Sequence, residues 1–249
     1  SHMGLYSTSD TWFRDPYVYA LLARLVDDGF FDEFDQVVFY GAGSAGYAAC
    51  AFSVAVPGAR VFALSPQATL DPARAGWDTR HMSGRRHDFT SRYGFAPDML
   101  EAADHAWIAY NPDIAEDAMH ASLFKRENIT LLPARFFGPE LQDSFFRMTF
   151  LYRILARISA GRPSRKSLAE LLRARRTDGG YLCNVMIHLE QAGQYRRMKA
   201  FCAAALKERE SRPIRRGLMR ATKALEKGFG VCGCAQSQSG RGLCNRLCN

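Results

Sequence analysis

The sequence contains no apolar run of the roughly 18–20 residues needed to cross a bilayer, and its start lacks the charged-then-apolar pattern of a secretory signal. Membrane-spanning and secreted proteins are therefore not expected, and a cytoplasmic location is predicted. The chain also lacks the biased composition of a fibre or a disordered protein, since 47% of its 249 residues are hydrophobic and 23% are charged. Its length fits one large domain, or a medium domain with an appendage.

Acidic residues are scarce in the second part of the chain. Residues 1–149 carry 12 Lys/Arg against 19 Asp/Glu, a net charge of −7, whereas residues 150–249 carry 21 against 6, a net charge of +15. The overall charge of +8 therefore averages an acidic and a basic half. This asymmetry indicates that the basic half meets an anionic partner or packs on the acidic half, and a solvated basic helical surface is the alternative.

Short β-branched and aromatic runs alternate with helical patterns in the acidic half, which predicts a doubly wound, mostly parallel α/β sheet. The predicted strands cover residues 36–41, 60–65, 106–110 and 129–134. A helix over Pro16–Gly29 precedes them and implies an earlier strand. Ser1–Met3 resemble residues left by an expression vector and are set aside. Gly4–Ser7 is the candidate for the earlier strand, and we expect further strands upstream in a longer protein.

The strongest chemical signal is the turn Gly41-Ala42-Gly43-Ser44-Ala45-Gly46, between the first clear strand and the next helix. Small residues on both sides allow a strand to turn sharply into a helix, and a serine at the apex stands above the carboxyl ends of the strands. Ser44 is the predicted nucleophile and the Ala45 N–H a predicted oxyanion donor. The string also fits the dinucleotide pattern G-x-G-x-x-G. That interpretation ranks second because no acidic residue follows the next strand to hold a ribose.

The run VVFYGAGSAGYAACAFSVAVPGARVFALSPQATLDP, followed by AYNPDIAEDAMHA, resembles a bacterial group of α/β-hydrolase-like proteins. The elbow of that group reads YGxSMGGYxA, and its next strand ends in SPQ. The resemblance covers roughly residues 10–150 and implies a hydrolase-like fold with a serine nucleophile, an acid after a later strand and a histidine after the last strand. Some relatives are catalogued as phosphoadenosine phosphosulfate reductases, but this sequence has no motif for that chemistry.

Two departures from that group affect the nucleophile and the base. Counted back from Tyr47, the serine of the group falls on Gly43, and Ser44 takes the place of the following Met unless the turn shifts by one residue. The Gly-His of the group is replaced by Gly138-Pro139, and proline cannot accept a proton. His120 is therefore the predicted substitute base.

The acid of the resemblance falls on Asp113 or Asp117, and Asp117 is the one predicted. Two functions follow for the acidic half. One is a serine hydrolase of an ester or other acyl bond, with Ser44, Asp117 and His120 as an irregular triad. The other is a hydrolase-like scaffold without catalysis that binds an anionic partner or a metal through the rest of the chain.

The insertion from Asp71 to Asp104 is too long for a bare connection and lies where such folds carry a lid. Arg80, Arg85 and Arg86 are predicted to receive a phosphate, sulfate or carboxylate of a small ligand, because guanidinium groups match those anions. The alternative is that these arginines form salt bridges within the insertion, to Asp78, Asp88 and Asp98.

The basic half is predicted to be helical, over residues 144–160, 164–176, 181–192, 195–208 and 212–227. The pair 181–192 and 195–208 has the spacing of one tetratricopeptide-like hairpin. The last helix carries cations that would attract an anionic surface such as an acidic macromolecule, although no nucleic-acid-binding motif accompanies them. They are Arg215, Arg216, Arg220, Lys223 and Lys227.

Four cysteines close the sequence at Cys232, Cys234, Cys244 and Cys248. Four thiolates within 17 residues could bind zinc or an iron–sulfur cluster, and disulfides or free thiols are the alternatives. The predicted organisation is a hydrolase-like domain over 4–149, a C-terminal basic helical extension over 150–228 and a Cys-rich tail over 229–249.

Overall fold

The computed structural model describes residues 1–7 and 9–228. The chain divides into two compact units, the first ending at Asn184 and the second beginning at Val185. The predicted boundary between residues 149 and 150 lies within the first unit.

The first unit contains a four-stranded, all-parallel sheet, so the predicted α/β class is confirmed. Its strands are β1 (Val38–Ala42), β2 (Arg60–Leu64), β3 (His105–Tyr110) and β4 (Ile129–Pro133). Their order in the sheet is β1-β2-β3-β4. The reversal of strand order that defines a doubly wound sheet is not observed among the described strands. Gly4–Ser7, the predicted earlier strand, forms no strand.

Eleven α-helices accompany the strands in the described residues. Their bounds are α1 (Pro16–Asp27), α2 (Ser44–Phe52), α3 (Pro72–Ala75), α4 (Ala96–Met99), α5 (Ala115–Leu123), α6 (Leu141–Arg147), α7 (Phe150–Ala160), α8 (Arg165–Leu171), α9 (Gly179–Gln191), α10 (Tyr195–Glu208) and α11 (Arg212–Glu226). None of the helices in the part of the chain that the structure describes is long and apolar enough to span a bilayer.

Helices cover both faces of the sheet because the side chains of each strand alternate between two apolar cores. Val61 and Ile108 belong to one core, with residues of α1, α2 and α4. Phe62 and Trp107 belong to the other, with residues of α6, α7 and α8. The chain crosses to the second face after β4, so helices after residue 149 share the core of the sheet.

The second unit contains the end of α9, followed by α10 and α11. Its interior is apolar, with Met198, Cys202, Ile214 and Ala221 buried. Gly217 allows the helices to approach closely, because a Cβ built at this position would lie 2.1 Å from the Met186 Sδ. Any larger residue at position 217 would push the Met186 side chain away.

Candidate functional site

The sharp turn between β1 and α2 is the part of the sequence prediction that the structure reproduces most closely. A Cβ at Gly41 would lie 2.1 Å from the Ala45 carbonyl oxygen, and a Cβ at Gly46 would lie 3.2 Å from the Leu64 carbonyl oxygen. Gly41 therefore needs glycine for steric reasons, and a side chain at Gly46 would be tightly packed against the backbone of β2. The turn itself is made at Gly43, with φ 56° and ψ −123°, a conformation that glycine adopts without the cost of a Cβ.

Ser44, predicted at the apex of the turn, is instead the first residue of α2, which begins directly after Gly43. The apex carries no side chain, so no hydroxyl stands at the position of a nucleophile. Ala45 lies in the first turn of α2, where backbone N–H groups have no partner within the helix. Its role as an oxyanion donor stays a prediction, while Ser44 lies one residue beyond the apex of the turn.

The predicted acid and base, Asp117 and His120, lie in a buried network with Asp78 and Arg80. The Arg80 guanidinium contacts Asp78 at 2.7 Å and Asp117 at 2.7 Å. His120 Nε2 lies 3.0 Å from Asp78 Oδ2, and His120 Nδ1 accepts a hydrogen bond of 3.1 Å from the Ala68 N–H. Both ring nitrogens are occupied, so neither is available to Ser44. The structure does not assemble Ser44, Asp117 and His120 into a triad.

Protonation in the buried network follows from these contacts. Because the Ala68 N–H donates to Nδ1, the proton of neutral His120 lies on Nε2 and is donated to Asp78. Burial lowers the pKa of His120, and the hydrogen bond to Asp78 only partly offsets this effect. Burial alone would raise the pKa of Asp78, but the hydrogen bonds from Arg80 and His120 outweigh burial and hold that pKa well below its usual range. The network is therefore an ionised carboxylate beside a neutral imidazole.

The three arginines predicted to bind an anion are not brought together around an open site. Arg80 is paired within the buried network. Arg85 donates through Nη2 to the carbonyl oxygens of Ala75, Gly76 and Asp78, at 2.7–3.1 Å. Arg86 is exposed and makes a long contact of 3.4 Å to the Asp10 carbonyl oxygen. The predicted alternative, a salt bridge within the insertion, is observed between Arg80 and Asp78.

Two features of this unit have no counterpart among the predictions from the sequence. Asp78 joins Arg80 to His120, but its contact with α5 spans 42 residues and leaves no local pattern. At the carboxyl edge of the sheet, Ser65 and Phe136 have positive φ values of 42° and 69°, besides Gly43. The Ser65 Oγ and the Gln67 Oε1 are buried without a hydrogen-bond partner in the described residues. The sequence signal that could have indicated these polar groups is the Ser65-Pro66-Gln67 segment, which directly follows β2.

A second candidate site lies on α11 in the second unit. At 100° per residue, five cations fall within about 80° of one another around the helix axis. We call this set the basic stripe: Arg212, Arg216, Arg220, Lys223 and the C-cap residue Lys227. All five are exposed. Ile214, Gly217 and Ala221 are buried on the opposite side.

Only one cation of the basic stripe is neutralised by a carboxylate among residues 1–7 and 9–228. Arg220 forms a bidentate pair with Glu190, at 2.7 and 2.8 Å. This pair raises the pKa of Arg220 and lowers the pKa of Glu190. The remaining four cations of the stripe have no ion pair within those ranges. Four uncompensated cations therefore lie along α11, which is about 22 Å long, with the paired Arg220 between Arg216 and Lys223.

The predicted metal ligands Cys232, Cys234, Cys244 and Cys248 lie outside the described residues. Within the described residues, no group of His, Cys, Asp and Glu side chains is arranged to hold a metal ion.

No family model, curated protein or solved structure matches this chain. Function therefore has to be argued from the geometry of the two candidate sites.

Proposed function

We propose that this chain is a hydrolase-like scaffold that binds a polyanionic macromolecule through the basic stripe of α11. The observation that carries the proposal is the row of five exposed cations, of which only Arg220 is paired with a carboxylate of the described residues. Aligned, uncompensated cations repel one another, and a polyanion that approaches them releases its own counterions on binding.

The packing of α11 favours a polyanionic chain over insertion into a bilayer. An amphipathic helix that lies in a membrane buries its apolar face in the lipid. In α11 that face is already buried, since Ile214 and Ala221 are 1% and 0% exposed. The stripe therefore offers charge and little apolar surface beyond the side chain of Met219, which is 67% exposed. Such an interaction is mainly electrostatic and indifferent to the sequence of the polyanion.

The first test is the salt dependence of binding to a 20-base-pair DNA duplex, measured by fluorescence anisotropy on the full chain. Each cation that neutralises a phosphate contributes about −0.9 to the slope of log K against log[salt]. The double variant Arg216→Gln/Lys223→Gln should reduce the magnitude of that slope by about 1.8. Its matched control is Arg215→Gln/Lys207→Gln, which removes the same charge away from the stripe and should have a smaller effect.

Equal losses in the two double variants would show that net charge, rather than the stripe, governs binding. Vesicles of anionic and of neutral lipid provide the comparison ligand. Binding to anionic vesicles at low salt with none to the duplex would replace the polyanionic chain by a membrane surface as the partner.

Ester hydrolysis by Ser44 is the second candidate function, and the observation that favours it is the tight elbow with Ser44 at the N-terminus of α2. A fluorophosphonate probe should label the wild-type chain and spare Ser44→Ala if this serine is a nucleophile. We expect no labelling of either protein, because both His120 nitrogens are engaged elsewhere.

A further inference from the structure

The positive charge of the basic stripe extends over the second unit as a whole. Residues 185–228 carry eleven Lys/Arg against four Asp/Glu, a net charge of +7. Successive cations of the stripe lie three or four residues apart, which places them about 4.5–6 Å apart along the axis of α11. The second unit therefore presents closely spaced cations within a wider positive field, and this suits a partner of high negative charge density.

The surface around the stripe is unlike the interface of a protein partner. Protein–protein interfaces have an apolar or aromatic core, from which Lys is depleted. On α11, Met219 is the only exposed large apolar side chain, and the helix contains no aromatic residue. Exposed salt bridges to the carboxylates of an acidic polypeptide contribute little on their own. Interfaces with nucleic acids, in contrast, are polar and strongly positive.

The second unit also lacks the stacking surface that single-stranded nucleic acids use. Proteins that bind single strands stack the unpaired bases on exposed aromatic side chains. Residues 185–228 contain two aromatic residues, Tyr195 and Phe201, and both are half-buried on α10. A duplex keeps its bases stacked on one another and can be bound through its phosphates alone. Among nucleic acids, the stripe therefore matches a duplex.

We infer that the polyanion bound by the basic stripe is a double-stranded nucleic acid held through its phosphates, an inference that rests on the proposed function. The three arginines of the stripe offer planar guanidinium groups that match phosphate oxygens, and its two lysines add point charges. α11 contains no Asn or Gln, the side chains that read adenine, so the contacts go to the backbone of the duplex. The four cations without an ion pair in the described residues together contribute about −3.6 to the slope of log K against log[salt].

The test compares three probes that each carry about 40 negative charges: a 20-base-pair DNA duplex, a 40-nucleotide oligothymidine and a 40-residue polyglutamate. Fluorescence anisotropy measures their binding to the full chain at one salt concentration. We expect the duplex to bind at least tenfold more tightly than either of the other probes. A 20-base-pair RNA duplex distinguishes the two sources of duplex phosphate, and tighter binding of either duplex than of the oligothymidine supports the inference.

The outcomes separate this inference from the proposed function. Equal or tighter binding of the oligothymidine or of the polyglutamate, weakened in Arg216→Gln/Lys223→Gln, would leave the proposed function standing and overturn the duplex as the partner. No binding of any probe would overturn both.

Met219→Tyr tests the physical reason for the preference. Met219 lies three residues from Arg216 and four from Lys223 on the surface of α11, so an aromatic ring there would offer unpaired bases a stacking surface beside the stripe. The variant should bind the oligothymidine at least about fivefold more tightly than the wild type does, and the duplex within about twofold. Ala204→Tyr, on the exposed side of α10, is the matched control and should change both affinities by less than about twofold. An unchanged affinity of Met219→Tyr for the oligothymidine would overturn the inference.

Discussion

The two units use the same charged residue types in opposite ways. In the first unit, Arg80 forms ion pairs with Asp78 and Asp117, and the Asp78 side chain is 0% exposed. In the second unit, the interior is apolar and cations such as Arg216 face solvent without a carboxylate among the described residues. Charge in the first unit fixes the long insertion onto α5, whereas charge in the second remains free to act on another molecule.

The largest expected effect comes from removing the central carboxylate of the first unit. Asp78→Asn leaves Arg80 and His120 without their shared partner, and breaking a buried ion pair costs roughly 3 kcal/mol or more. Urea unfolding of the full chain measures this loss. Asp98→Asn is the matched control, since that carboxylate is 55% exposed in its pair with Arg126 and should cost less than about 1 kcal/mol. Similar losses in both variants would mean that the buried network contributes no more to the free energy of unfolding than an exposed salt bridge.

The interior of the second unit is tested by Gly217→Ala. The added Cβ collides with the Met186 Sδ, and overpacking of this kind costs about 1–3 kcal/mol. The higher helix propensity of Ala offsets up to about 1 kcal/mol of this cost, so the net change should be a destabilisation of at most about 2 kcal/mol. Gly179→Ala is the control, because nothing lies within 4 Å of a Cβ at this position of α9. It should be neutral or slightly stabilising. Equal thermal midpoints for the two variants would contradict close packing at Gly217.

The buried imidazole of the first unit gives stability a pH dependence. The folded pKa of His120 lies below its unfolded value of about 6.5. The unfolded chain therefore binds more protons, and stability is lost as pH falls below 6.5, by at most about 1.4 kcal/mol per pH unit. His120→Gln should flatten this part of the curve, measured as the unfolding free energy from pH 7.5 to 5. The pKa values of His81 and His105 are also lowered and their contributions remain in the variant. An unchanged slope would exclude His120 as the source.

The smallest expected change in stability comes from Glu190→Gln in the second unit. The pair with Arg220 is a surface salt bridge and contributes less than about 1 kcal/mol. Removing it should strengthen binding to the DNA duplex, because Arg220 then joins the uncompensated cations of the stripe. Arg220→Gln provides the comparison, with a similar small loss of stability and weaker or unchanged binding. Weaker binding by Glu190→Gln would oppose the proposed role of the stripe.

Local patterns predicted the local elements well. The positions of β1 to β4, the tight elbow at Gly41 and Gly46, and the cationic face of α11 all follow from residues adjacent in sequence or spaced by one helical turn. These features depend on backbone sterics and periodicity, which a single sequence displays.

Long-range pairing was not predicted. The Asp78–His120 contact, the Arg80–Asp117 ion pair and the apolar core shared by α7 and the sheet each join segments more than 30 residues apart. Asp117 and His120 lie close together in sequence, which suggested a triad. Their side chains instead contact Arg80 and Asp78 of the insertion. The apex of the elbow lies at Gly43 and not at the predicted Ser44, because glycine adopts this turn at the lowest conformational cost.

Gly43 leaves the elbow open to change by a single substitution. Nothing in the described residues lies within 4 Å of a Cβ built at this position, so the Cβ of a side chain there meets no steric obstacle, although the positive φ remains strained for any residue other than glycine. The turn thus offers an engineering position at which a hydroxyl can be introduced beside the first amides of α2, while a proton acceptor would still have to be supplied from another part of the fold.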